Sequence, residues 1–221
     1  MTEQMRIKQA KEAFQTGLPV DESVLRHEIL DSWKRSKAHG VRTDVVDKRV
    51  ISAEELKKRI RAHQTFYDIA NAFMESLYEF TTGSGYLTAI ADEEGYVLRV
   101  FGDEEIAEMA RANELVEGCN RSEDKLGTNG IGTPLALGVP LQVFGEEHYY
   151  TLHHNWVCSG APVFNADGST AGVVCLIGSS DKVSFHTLGM AAAAAEAISR
   201  QLIMKQAYRE VELSQQRMSA I

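Results

Sequence analysis

The chain has 221 residues, 44% of them hydrophobic, and a formal net charge of −8. That size and apolar fraction suit one domain with additional helices, while the negative charge and the lack of a basic stripe argue against a nucleic-acid or anionic-membrane surface in this segment. The longest apolar run, 189–195, is too short for a bilayer, the N-terminus lacks a signal-peptide core, and three cysteines, an odd count, argue for free thiols; a cytoplasmic protein is expected.

The first third reads as helix. A segment from Met5 to Thr16 ends at Gly17, suited to a left-handed C-terminal position, and Pro19 prevents continuation. Asp21 is placed to cap a second helix through Lys37, with Val24, Ile29, Leu30 and Trp33 as its apolar positions. Ser52 and Glu55 form a capping-box pattern opening a third helix. Its stripe of Leu56, Ile60, Phe66 or Tyr67, Ala70, Phe73 or Met74, and Leu77 keeps helical spacing through Phe80. At Gly83–Gly85 the period changes, and 85–91 with 96–101 read as a β-hairpin.

A short helix over 104–112 follows, then a glycine-rich stretch and strands over 140–144, 156–164 and 169–178. Residues 185–219 read as one long helix, apolar first at Leu188, Ala191, Ala195, Ile198 and Leu202. Its stripe then shifts to Met204, Tyr208, Val211, Gln215 and Met218. This order predicts an α+β domain around an antiparallel sheet. The last hairpin is apolar on both faces, Val157, Ala161, Val163, Val174 and Leu176 on one, Trp156, Cys158, Val173, Cys175 and Ile177 on the other. Both faces therefore need cover. The terminal helices supply one cover and the 113–155 segment the other, with room for a ligand cavity beneath that lid.

GTNGIGTPLALG, 127–138, has the look of a phosphate loop. Gly127 and Gly132 have P-loop spacing, but Thr133 stands at the lysine position and Pro134 at the hydroxyl position. A nucleotide site is therefore not expected. The glycines instead suit a backbone turn passing close over the sheet. Amides at the start of the short helix that follows are candidate contacts for a ligand oxygen; the alternative is tight turns with no ligand contact. Pro134 suits a first helical turn with Thr133 as N-cap, which predicts a late helix start.

His148, His153, His154 and Cys158 invite a metal reading, but their spacing matches no standard zinc site, and no metal or cofactor is expected. Histidines 148 and 154 are instead candidate polar ligand contacts, together with Asn129. A turn centred on Ala166–Asp167 places Cys158 directly opposite Cys175, and one centred on Asp167–Gly168 offsets them by two on the same face. The pair reads as small core residues, as cavity lining or as a redox couple. Tyr86 and Trp156 each join a ring to a polar tip, suiting a pocket wall or the core.

The run SEDKLGTNGIGTPLALGVPLQVFGEEHYYTLHHNWVCSGAPV, with LRHEILDSWKRSKAHGV near the start, resembles the N-terminal sensor region of sigma-54-dependent transcriptional activators of the acetoin-catabolism and dihydroxyacetone-kinase-operon type. The resemblance implies a GAF domain, a six-stranded antiparallel sheet with a ligand cavity on one face. It implies residues 1–61 as an N-terminal helical region, 62–200 as the sensor domain and 201–221 as the continuing linker or dimerisation helix. It also implies a non-enzymatic, dimeric module signalling to an AAA+ ATPase and a DNA-binding domain absent from these residues. The expected partner is a small uncharged organic effector or a metabolic partner protein, with no nucleic acid or membrane contact by this segment. An uncharged effector follows because a buried carboxylate needs a cation, and none is identifiable. The expected ligand-binding residues are Tyr86, Asn129, His148, His154, Trp156, Cys158 and Cys175. Two alternatives stay open: a GAF-fold methionine sulfoxide reductase, for which Cys119 in an exposed loop is the candidate thiol, and a pure protein-interaction module.

Overall fold

Short polar side chains set the first helix boundaries. In the computed structural model, which describes residues 2–45, 50–182 and 184–219, Thr2 Oγ1 accepts from the Met5 amide to start α1, Glu3–Thr16. Gly17 ends it with φ 77°. Asp21 caps only a single 3-10 turn, Glu22–Val24. Leu25 is extended and buried, and α2 begins later, at His27–Ala38.

The predicted third helix is two. The Ser52 hydroxyl accepts from Glu55 N to open α3, Ala53–Ala62, and the chain breaks at His63 before α4, Gln64–Thr81. The break separates two different tasks. Arg59 of α3 lies 3.8 Å from the Tyr96 ring centroid and bonds Asp92 and Glu94 at 2.9 Å, whereas α4 buries Phe66, Ile69, Ala70 and Met74.

Five strands form one antiparallel sheet: β1 Tyr86–Asp92, β2 Val97–Gly102, β3 Leu141–Phe144, β4 Trp156–Phe164 and β5 Thr170–Ser179, in the order β2-β1-β5-β4-β3. The expected sixth strand is reduced, among the described residues, to a bridge between Tyr96 and Asn120, with Val97 and Gly118–Cys119 exchanging backbone hydrogen bonds. It stops because Asn120 Oδ1 accepts from the Ser122 amide at 2.8 Å and turns the chain into a new helix.

Period-two alternation splits the core as predicted. On one face Ile90, Ala161, Val163, Val174 and Leu176 meet α4 and the long helix α8, His186–Ser219. On the other, Trp156, Cys158, Val173, Cys175 and Ile177 meet α5, Glu104–Ala112, and the 115–131 segment. A third cluster joins Ile7, Ile29, Leu30 and Trp33 of α1 and α2 to edge strand β3. No helix of the described residues is long and apolar enough to cross a membrane.

Candidate ligand-binding site

The lid consists of two short helices, α6 (Glu123–Leu126) and α7 (Gly132–Leu137), joined by the glycine-rich stretch. Its approach to the sheet is set by missing side chains. A Cβ on Gly130 would lie 2.2 Å from Cys158 Cβ, and one on Gly160 would lie 1.8 Å from Gly130 O. Only glycine at both positions lets lid backbone rest on β4.

Asn129 organises the turn. Its Nδ2 donates to Gly127 O (2.7 Å) and Arg121 O (2.9 Å), and its Oδ1 accepts from Ile131 N (2.8 Å) and Gly132 N (2.9 Å). The amides expected to greet a ligand oxygen are therefore occupied from within. The helix also begins at Gly132, with Pro134 inside its first turn; the Thr133 hydroxyl accepts from Asn129 N at 3.0 Å instead of acting as N-cap. From outside, Ser32 of α2 meets Thr128 Oγ1 at 2.6 Å and donates to Glu123 Oε2 at 2.7 Å, and Arg35 donates to the same carboxylate at 3.0 Å. Helix α2 is thereby pinned to the lid.

Between lid and sheet lies a cavity of about 30 Å³, room for about two waters or a few ligand atoms. The sheet supplies Trp156, Cys158 and Ile177; the lid supplies Leu126, Asn129, Gly130 and Ile131; the segments before and after it add Asn113, Leu115, Arg121 and His153. Arg121 is 3% exposed. Its Nε donates to Cys119 Sγ and its Nη2 to Asn113 O, each at 3.2 Å, while Nη1 is buried with no hydrogen-bond partner. The cation that the sequence did not reveal is thus present in the cavity wall.

Of the seven expected residues, Asn129, Trp156 and Cys158 line this cavity. Tyr86 has the parity of Ile90, so it belongs to the helix-covered face; its ring lies against Gly178. Cys175 lies behind Cys158, fully buried. The register follows the Asp167–Gly168 turn: Cys158 faces Ile177 and Cys175 faces Gly160, so the cysteines are offset, not opposed. The Cys175 thiol donates to Cys158, which with His148 holds Cys158 below the ordinary thiol range, and burial pushes Cys175 up.

The histidines divide because 151–153 is a 3-10 turn and not the start of a strand. His148, fully buried, sets Nδ1 against Gly145 O (3.1 Å) and Nε2 against Cys158 Sγ (3.3 Å), supporting the cavity wall from behind. His153, not His154, reaches the cavity. Burial first, then neighbouring Arg121, holds its pKa well below the usual imidazole value, so it is neutral. His154 lies elsewhere, between Lys11 Nζ (2.7 Å) and Glu146 Oε2 (2.8 Å). Arg121 carried no sequence signal, since its burial arises from how the lid folds; His153 was lost to its neighbour by assuming strand alternation.

Residues 4–199 match the family described as MimR, N-terminal domain. The chain belongs to that family. A signal-transduction and transcriptional-control protein of Clostridium beijerinckii is 34% identical over 194 residues, covering 87% of this chain and 31% of that protein. The acetoin dehydrogenase operon transcriptional activator AcoR of Bacillus subtilis is 34% identical over 196 residues, covering 88% and 32% respectively. This family member therefore spans about a third of the length of these curated relatives. Its fold is shared by a chain in the crystal structure of the E. coli DhaR(N)-DhaL complex, with TM-score 0.84 and 17% identity over 88% of this chain and 67% of the other.

Proposed function

We propose that this MimR-type domain is the effector-sensing part of a transcriptional activator, as its relatives' names suggest. The observation that carries the reading is the cavity's position: it opens on one face of β4 and β5, and α8, the last helix of the chain, packs on the opposite face of the same strands. A ligand that fits the cavity better in one arrangement of lid and strands than in another biases the seat of α8 by its differential affinity. In this reading residues 62–200 sense, residues 1–61 brace the lid through α2, and 201–221 carry the signal onward to an AAA+ ATPase and a DNA-binding domain. The distal stripe Met204, Tyr208, Val211 and Met218, all exposed in the single chain, is the proposed contact with a second copy.

The reductase alternative needs a reachable thiol. All three cysteines are buried, Cys119 included, which favours the sensor. A protein partner fits the same fold, since the DhaR domain was crystallised with DhaL. The deciding experiment is a thermal-shift and calorimetric screen of short-chain ketones, diols, alcohols and acids on wild type and on Leu115→Trp, which fills the cavity. Binding to wild type that is lost in a folded Leu115→Trp supports the small-molecule reading; equal binding to both places the site elsewhere.

A further inference from the structure

Two cations are buried among the described residues, Lys11 and Arg121; Lys11 has the His148 carbonyl and His154 Nε2 as partners, with the Glu146 carboxylate acting on it, and it can shed its proton. Among the described residues the buried carboxylates are Asp92, Glu123 and Glu147. Each has its arginine: Arg59 for Asp92 at 2.9 Å, Arg35 for Glu123, and Arg26 for Glu147 at 2.7 Å. Arg121, alone among the arginines of the described residues in being buried, has no carboxylate partner there. Guanidinium cannot shed its proton in a protein, so burial does not neutralise it. An uncompensated buried charge is costly, and a neutral oxygen satisfies a hydrogen bond without balancing that charge.

The donors left over have a shape. A guanidinium has five N–H donors; one on Nε goes to Cys119 Sγ and one on Nη2 to Asn113 O. Both N–H groups on Nη1 and the second on Nη2 remain, the pair of nitrogens that can grip a carboxylate with two parallel hydrogen bonds. Asn129 does not compete for an anion, because both its donor and its acceptor are engaged in the lid turn, and Asn113 Nδ2 donates to Met109 O at 2.8 Å. Apart from Asn113, Cys158 and the neutral His153, the rest of the wall is apolar, formed by Leu115, Leu126, Ile131, Trp156 and Ile177.

We propose that Arg121 anchors a carboxylate, and that the ligand of this domain is a short-chain monocarboxylate whose apolar end lies against Leu115, Leu126 and Trp156. The proposal rests on the small-molecule reading of the cavity and adds the ligand's charge to it. The small volume limits the ligand to a few heavy atoms, and one unmatched cation calls for one negative charge.

The test uses the full chain and three matched series, acetate, propionate and butyrate against acetone, butanone and pentan-2-one and against ethanol, propan-1-ol and butan-1-ol, by calorimetry at constant ionic strength. At least one acid is expected to bind roughly tenfold or more tightly than the ketone and alcohol of its length, the range for a charge-assisted hydrogen-bond pair. Arg121→Met should abolish that preference, and Arg121→Lys should keep part of it. A ketone or alcohol binding as tightly as the acids overturns the charge inference and leaves the cavity reading standing. Failure of all three series on wild type removes both. If Arg121→Met does not fold, the wild-type ratio alone decides.

Discussion

Lys11 shows how burial turns a side chain into a pH-sensitive element. It is buried against the His148 carbonyl and His154 Nε2, and burial lowers its pKa from 10.5 to about 7, with Glu146 opposing. The unfolded chain keeps this proton to about pH 10.4, so between pH 7 and 10 it binds more protons than the folded one. Stability from this group therefore rises with pH, by up to about 1.4 kcal/mol per unit, and the penalty is complete below pH 7. Urea unfolding at pH 7, 8 and 9 should show the rise in wild type and a flatter profile in Lys11→Met. His154 acts at the acid end: burial and Lys11 lower its pKa to about 3, so its contribution is intact above pH 6.5 and lost as pH falls towards 3. Asn129 makes four hydrogen bonds through its side chain; Asn129→Ala should cost about 2–4 kcal/mol in denaturant unfolding.

At the scale of elements, the lid and α8 differ in what holds them. Lid against β4 is a backbone contact through Gly130 and Gly160. Gly130→Ala should cost more than about 3 kcal/mol, or displace the lid and erase ligand binding, as thermal unfolding and the ligand screen would show. Helix α8, 34 residues long, extends about 50 Å, more than one small domain can cover. Its first half buries Ala191, Ala195, Ile198 and Leu202, and its second half leaves Tyr208 and Met218 more than 60% exposed. Val211→Glu, on the exposed half, should weaken self-association without lowering the monomer's unfolding midpoint; light scattering at tens of micromolar checks it, and a monomeric wild type refutes the dimer.

For the whole molecule, the brace from α2 to the lid ties the N-terminal helices to the site. Ser32→Ala leaves Glu123 with Arg35 but removes the hydroxyl that joins Glu123, Thr128 and Thr133. In a full-length activator with a transcriptional reporter, Ser32→Ala should change the ligand concentration for half-activation while leaving the fold intact by circular dichroism. An unchanged dose response would mean that α2 is only structural. The net charge of −8 and the substituted P-loop positions also predict no ATP hydrolysis and no sequence-specific DNA binding by this chain alone.

Element type and order were legible in the sequence, because helix caps, period-two strands and glycine turns act over a few residues. Gly17, the hairpins and the two-faced pattern of β4 and β5 needed no tertiary information. So did the role of the glycines, since only backbone passing close to backbone excludes a Cβ. The break at His63, the lost sixth strand and the two-residue offset between Cys158 and Cys175 depended on competition between local and distant partners, which no short window contains. The cavity wall depended on it most. Trp156, Cys158 and Asn129 were identified by residue type, but Tyr86 lies on the other face and His154 is drawn to Lys11. Arg121 reads in the sequence as one more surface cation. Only folding of the lid buries it beside His153 and leaves its charge unmatched.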